Sequence, residues 1–402
     1  MRTRGDRGGR FKRDGEPRLP LGDIRVLDLS TPLGAYCGRL LCDLGADVVR
    51  VEPSSGAPAR RRPPLIGGVI GATFAFTEAG KNSVVLDSPE STAREQLHRL
   101  VDETDILITS EGPGALRAKG LHPEQTTADR PRLLHVAITP FGLTGPRADW
   151  PASDLTILAA GGLLSLAGDP DRPPVRPAPE QTPVMAGAHG AVATMLALHV
   201  RDATGRGQVV DLSAQECVAH SLENAVQMLD LEGIVRTRVG PGPVEVGTGL
   251  FRCRDGLVYL VGGIGGRGLA WDAIVRWLAE EGADEFNTLS CAKWGDRSWR
   301  RTTEGTSAFR ELFERFAATR TKDQLYEAGQ LRGISISAVA TPEDLLANVQ
   351  LCERGFFREV EVAHRSVTLP GAPYRFAGLD IGPVVGAPAL GSTPAEHPWR
   401  AS

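Results

Sequence analysis

IRVLDLSTPLGAYCGRLLCDLGADVVRVEP, residues 24–53, is the stretch whose reading decides the fold. Its opening IRVLDLS is rich in branched aliphatic residues and suits a buried strand. TPLGAYCGRLLCDLGA then reads as a turn feeding a helix, with Leu33, Leu40, Leu41 and Leu44 as apolar positions. ADVVRVEP is a second strand, stopped by Pro53. Strand, helix and strand in this order imply parallel strands joined by a right-handed crossover.

The alternation continues. NSVVLD (82–87), DILITS (105–110), RLLHVAIT (132–139) and QVVDLS (208–213) read as strands. Residues 88–105 form an amphipathic pattern with Leu97, Leu100 and Val101 on one face, and 186–201 form a long apolar helix. This predicts an open α/β sheet that takes ligands beyond the C-terminal ends of its strands. The texture changes after about residue 235, where VGPGPVEVGTG is a loop rich in Gly and Pro. GLFRCRDGLVYLVGG follows as a β-hairpin turning at 254–256, then helical patterns around 270–281 and 307–318. The expected organisation is a Rossmann-like large domain over 21–225, a smaller α+β domain over 240–335, and a C-terminal segment, 340–402, returning to the large domain.

Composition narrows the function classes. At 41% apolar and 23% charged, the 402-residue chain reads as globular and long enough for more than one domain. A net charge of −4 gives no electrostatic reason to expect nucleic acid. No apolar run reads as a membrane span. The basic, Gly-rich start, MRTRGDRGGRFKRDGEPRLP, lacks the apolar stretch of a secretory signal, so residues 1–20 are expected to be a disordered tail of a cytoplasmic protein. Cys37, Cys42, Cys217, Cys253, Cys291 and Cys352 form no CxxC pair, and the eight histidines show no ligand spacing. Reduced, mostly buried thiols and no metal are expected.

Several groups could carry chemistry. GIGGRG (263–268) fits GxGxxG, but the strand before it reads as half of an antiparallel hairpin, the wrong context for a dinucleotide. Arg60, Arg61, Arg62, Lys81, Arg117, Lys119 and Arg132 lie after or between strands, where phosphates bind in such folds. Asp154, Asp169, Asp171 and Glu180 are the acidic candidates in the apolar middle. Asp154 opens DLTILAAGGLLSLAG, where it either caps that helix or serves a site. His189 sits inside the long apolar helix.

The quoted stretch, with GKNSVVLD, DILITSEGPGALRAKGL, PRLLHVAITPFGLTGPRADWPASDL, AGGLLSLAGDPDRPP, LALHVRDATGRGQVVDLS, GLFRCRDG and LPGAPYRFAG, resembles the family III CoA-transferases. That group includes formyl-CoA transferase, carnitine CoA-transferase and α-methylacyl-CoA racemase. The resemblance runs from about residue 22 to 390. It implies two chains threaded through each other as an interlocked homodimer, with coenzyme A or an acyl-CoA as substrate; a carrier-bound phosphopantetheine thioester presents the same arm. By position it implies that Pro32, Leu33, Gly34, Ala35, Lys81, Leu86, Ser110, Glu111, Arg117 and Lys119 line the CoA channel. Gly247 and Gly249 match a mobile glycine-rich loop over the site.

In these transferases an aspartate attacks the acyl-CoA, giving an anhydride and then an enzyme-bound CoA thioester. The resemblance puts that position on Pro183, which has no nucleophile. Racemases add a histidine and a glutamate; these positions fall on Ser153 and near Gly265. A basic residue on the adenine side falls on Pro53. Three readings stay open. The first is a family III enzyme acting on an acyl thioester through Asp154, His189 or Glu180. The second is a non-catalytic subunit paired with a related chain. The third is a racemase-like or Glu180-dependent enzyme.

Overall fold

The computed structural model describes residues 19–87, 91–178, 180–222, 225–238, 246–262, 271–382 and 385–400. Most of the expected tail lies outside them. Leu19 and Pro20 are already part of a turn, with the Leu19 carbonyl accepting from Gly22 N–H at 3.0 Å. The chain divides into two compact units. The large one comprises residues up to Ala167, Pro174–Thr237 and the chain from Gln350; the small one comprises Gly168–Pro173 and Arg238–Val349.

The large unit is built on β1 (Arg25–Asp28), α1 (Pro32–Asp43) and β2 (Asp47–Glu52). A short hairpin, β3 (Leu65–Ile66) and β4 (Ile70–Gly71), leads to α2 (Ala72–Thr77) and β5 (Asn82–Val85). Then come α3 (Ser91–Asp102), β6 (Ile106–Thr109), α4 (Pro113–Ala118), α5 (Pro123–Asp129), β7 (Leu134–Thr139), α6 (Asp154–Ala160), α7 (Gln181–Thr204), β8 (Val209–Ser213) and α8 (Ala214–His220). Six strands pair in the order β5-β2-β1-β6-β7-β8, every pair parallel. Counted within the sheet, this is the doubly wound order 3-2-1-4-5-6. The four residues of β6 and six of β7 are buried throughout, as a sheet covered on both faces requires.

α7 was expected to start at 186 and starts at Gln181. Pro183 does not delay it, because the third helical position has no intrahelical use for an N–H. The helix ends on Gly205, whose left-handed backbone lets its N–H reach the Arg201 carbonyl at 2.8 Å. By length and hydropathy α7 could cross a membrane, contrary to the sequence expectation. Here it packs on α1 through small residues. A Cβ on Gly187 would lie 2.8 Å from Tyr36 Cβ and 2.9 Å from Cys37 N. At its far end Arg201 is buried and pairs with Asp105 at 3.2 Å.

The small unit holds an antiparallel sheet, β9 (Thr248–Cys253), β10 (Gly256–Val261) and β11 (Ser335–Ala338), in the order β11-β10-β9. Trp277, Trp294, Phe309 and Phe313 fill its core. β12 (Phe357–Val362) and β13 (Arg365–Pro370) form a hairpin in the large unit, packed on Phe74 and Ala75. The cysteines are less uniformly buried than expected: Cys37 and Cys217 are buried, whereas Cys291 and Cys352 are exposed.

Candidate active site

The sheet changes winding direction between β1 and β6, and the loops after those strands bound its crevice. On one side is the start of α1, capped by Thr31 with Pro32 in its first turn. On the other are Ser110 and Glu111, leading to α4. Gly34 is where the two sides touch. A Cβ there would lie 2.7 Å from Ser30 Cβ and 2.8 Å from Ser110 Oγ. Ser110 Oγ is buried and has no hydrogen-bond partner among the described residues. Gly34, flanked by Leu33 and Ala35, therefore meets Ser110 at the strand ends where an α/β sheet receives ligands. Arg117 is exposed on α4, and Lys119 pairs with Glu111 at 2.6 Å. Leu86 follows β5 and is half-buried.

Lys81 is different. Its side chain is wholly buried, and its ammonium meets Asp28 Oδ2 at 2.8 Å, the Ala35 carbonyl at 2.8 Å and Glu78 Oε2 at 2.7 Å. Of the three donors of the ammonium, two are hydrogen-bonded, to Asp28 and the Ala35 carbonyl, and Glu78 stands at ion-pair distance. Arg50 completes the cluster against Asp28 Oδ1 at 3.3 Å, and Ser30 Oγ donates to the same oxygen at 2.6 Å. Burial raises the Asp28 pKa, but Lys81 and Arg50 outweigh it and hold the carboxyl below its ordinary value. Glu78, buried beside the same charges, is pushed up by desolvation. Gly38 of α1 leaves room for the cluster, since a Cβ there would lie 2.7 Å from Asp28 Oδ2. Lys81 is thus a buried ion-pair partner of Asp28 and Glu78.

The acidic candidates meet at the start of α7. The cap of α6 is Ser153, in a reciprocal box with Thr156, and not Asp154. Asp154 reaches instead to α7, accepting from Thr182 N–H at 3.0 Å and Glu180 N–H at 3.2 Å. Arg176 also donates to it at 3.2 Å. Glu180 precedes the helix in a left-handed conformation, φ 66°, and its carboxylate pairs with Arg62 at 2.6 Å. Arg60 is taken by Glu52 at 2.6 and 2.7 Å. Pro183 is buried in the first turn of α7.

His189 lies six residues after Pro183, which at 3.6 residues per turn is about 120° around the helix. Its Nδ1 is 2.9 Å from the Met185 carbonyl, and its ring meets His220 edge-on at 5.5 Å. It does not join Asp154 or Glu180. Asp169 and Asp171 lie in the small unit's short segment.

Residues 263–268 and Gly265 lie outside the described residues, as do 239–245 of the glycine-rich loop. Gly247 is in a turn, and Gly249 is paired within β9 opposite Leu260. β10 is antiparallel to both neighbours, which is not the strand a dinucleotide fingerprint follows. Among the described residues no three His, Cys, Asp or Glu side chains gather as metal ligands.

One buried histidine escaped the sequence reading. His135 on β7 is held between Thr126 Oγ1 at 2.7 Å and Thr109 Oγ1 at 2.9 Å. Burial, with a smaller effect from His122, lowers its pKa to about 3.

These features find close parallels. The sequence profile of CoA-transferase family III matches residues 21–393. A Thauera aromatica protein, succinyl-CoA:(R)-benzylsuccinate CoA-transferase subunit BbsE, is 37% identical over 374 residues, covering 92% of this chain and 91% of the relative. Succinyl-CoA–D-citramalate CoA-transferase of Chloroflexus aurantiacus is 33% identical over 251 residues, or 61% of this chain and 62% of the relative. Among solved structures, a CaiB/BaiF family protein from Brucella suis superposes with a TM-score of 0.83 at 28% identity, covering 94% of this chain and 97% of the other. Members of such a family act on CoA thioesters, and the profile spans nearly the whole chain: this protein belongs to CoA-transferase family III.

Proposed function

We propose that this chain is the non-catalytic subunit of a two-chain acyl-CoA:carboxylate CoA-transferase, and that a related chain supplies the nucleophilic aspartate. The observation that carries the reading is the start of α7. Pro183 stands where the resemblance puts the nucleophile, and both nearby carboxylates are occupied. Asp154 caps the helix and Glu180 is paired with Arg62. A carboxylate accepting backbone N–H bonds or neutralised by a guanidinium is a poor nucleophile. The Thauera relative carries the word subunit in its name, and its donor is succinyl-CoA. A succinyl-type donor is the corresponding reading here. The chain's role is to bind the CoA arm at the crevice of Gly34 and Ser110 and to complete the dimer.

Pairing also accounts for an apolar stripe on α7. Val192, Leu196 and Val200 are 62%, 64% and 44% exposed in the single chain. A threaded dimer, with this chain's partner a related sequence, would cover such a stripe. A soluble, cytoplasmic complex is part of this reading.

The test is acyl transfer from succinyl-CoA to a panel of carboxylates, by the chain alone and with an aspartate-bearing family III chain that co-purifies with it. No turnover alone, and turnover in the pair with the covalent CoA thioester on the partner's peptide, is expected. Turnover by the isolated chain, with the thioester on its own Asp154 or Glu180, sinks the proposal and restores the altered-enzyme reading. Deuterium exchange at the α-carbon of the acyl-CoA by the isolated chain would instead support the racemase-like alternative.

A further inference from the structure

We infer that the large unit carries a second ligand site, for a small organic dianion, at the edge of the sheet opposite the thioester crevice. A cavity of about 300 Å³ lies between the segment Arg354–Arg358 and the loop 372–381. Arg354, Arg358 and Arg375 are among the residues that line it. Arg358 is paired with Asp380. Among the described residues Arg354 and Arg375 have no ion-pair partner. The cavity thus holds three cationic groups against one carboxylate, an excess of two charges.

Arg354 and Arg375 are both exposed at the mouth of this hollow. Gly355 has φ 56°, and a Cβ there would be 3.7 Å from Arg375 Nη2, so Arg375 lies alongside the turn that carries Arg354. The loop closes on itself through a Phe376–Leu379 bridge, with the Leu379 N–H donating to the Phe376 carbonyl at 3.2 Å. It is anchored to the sheet by Ala372, Leu379 and Ile381, which pack on the main core, and by the Gly382 N–H donating to the Asp43 carbonyl at 3.3 Å.

Asp43 is the last residue of α1, whereas the thioester crevice lies at its first turn. Twelve residues of helix separate these ends by about 18 Å. The two sites are therefore distinct within this chain.

The lining specifies the ligand. Two guanidinium forks without carboxylates match two carboxylates, or one phosphate monoester, by bidentate hydrogen bonding. Phe376, Leu379, Ile381 and Ala372 give the cavity an apolar wall, which a bare inorganic ion would leave unused. The shared chemistry is a doubly negative head on a short carbon frame. This assignment does not depend on whether the chain carries a nucleophile.

Calorimetric titration of the full chain with succinate, glycerol 3-phosphate and inorganic phosphate tests it. One saturable site per chain is expected for succinate or for glycerol 3-phosphate, the stronger of the two identifying the source, with inorganic phosphate weaker. Arg375→Gln and Arg354→Gln should each weaken binding at least tenfold while leaving the unliganded melting temperature unchanged. Arg117→Gln, beside the thioester crevice, should leave it intact. Absence of saturation by all three probes up to about 10 mM overturns the assignment. So does binding that survives the double Arg354→Gln/Arg375→Gln variant or that is lost in Arg117→Gln.

Discussion

Asp154 caps a helix it does not belong to: its Oδ1 accepts from the Thr182 N–H at 3.0 Å, joining the start of α6 to the start of α7. The Thr182 hydroxyl returns the contact by donating to the Asp154 carbonyl at 3.2 Å. A carboxylate at this end also faces the positive pole of a helix of 24 residues. Asp154→Ala is expected to destabilise the protein by about 1 kcal/mol, within a range of roughly 0.5–2. Asp154→Asn, which keeps an acceptor, should lose less. Urea unfolding midpoints of the two variants measure the difference.

Lys81 tests burial against ligand binding. Lys81→Met leaves Asp28 charged, buried and short of its main partner, at a cost of about 3–5 kcal/mol. The double variant Asp28→Asn/Lys81→Met should recover much of this. If Lys81 instead served the CoA channel, the single variant would keep its stability and lose only CoA affinity.

His135 makes stability depend on pH. Its folded pKa of about 3 lies below its unfolded value, so the unfolded chain takes up a proton that the folded one refuses. The stabilisation is fully present above the unfolded pKa of about 6.5 and is lost as pH falls from there toward 3. At pH 5 the loss is on the order of 2 kcal/mol. His135→Gln should flatten the stability profile between pH 5 and 7, whatever its effect at pH 7. An unaltered slope would show that another group titrates there.

The contact of α7 with α1 admits no side chain at 187. Gly187→Ala places a methyl 2.8 Å from Tyr36 Cβ and 2.9 Å from backbone nitrogen, so the helices must separate. A loss of about 1–3 kcal/mol is expected. Ala188→Ser, on the exposed side of the same turn, should be neutral within about 0.5 kcal/mol. Thermal melts of the pair separate crowding from any general intolerance of the helix.

Pro183→Asp puts an acidic residue in the first turn of α7, where the helix dipole favours it. The variant should fold. It should remain inactive alone, because Asp154 and Glu180 are committed to the helix start and to Arg62. Acyl transfer from succinyl-CoA by the homogeneous variant measures this, and gained turnover would show that only the nucleophile is missing.

The sheet was legible because each of its strands is a local apolar run and each crossover a local periodic one. The approach of Gly34 to Ser110 follows from the same alternation, which puts the loops after β1 and β6 side by side. Long-range contacts were not legible. Asp154 read as either the cap of its own helix or a site residue, yet its hydrogen-bond partners lie 26 and 28 residues ahead. Lys81 read as a basic group between elements, and its partner Asp28 is 53 residues away. Nor does a periodic pattern distinguish a helix buried all round from α7, which buries a ridge of mostly small residues, Ala186, Gly187, Gly190, Ala191, Thr194 and Ala197 among them. The early start of α7 was missed because proline reads as a stop, although a first turn tolerates it.

The ridge of α7 has a consequence for the cell that makes this chain. Gly187, Gly190 and Ala186 bring the helix against α1, while Val192, Leu196 and Val200 remain in water. Copies produced in excess of whatever covers that stripe carry an adhesive strip along a folded body. Such orphans are targets for chaperones and proteases, and they aggregate when neither removes them. If the pairing proposed above covers that stripe, the steady amount of the protein is governed less by its own synthesis than by the supply of its companion.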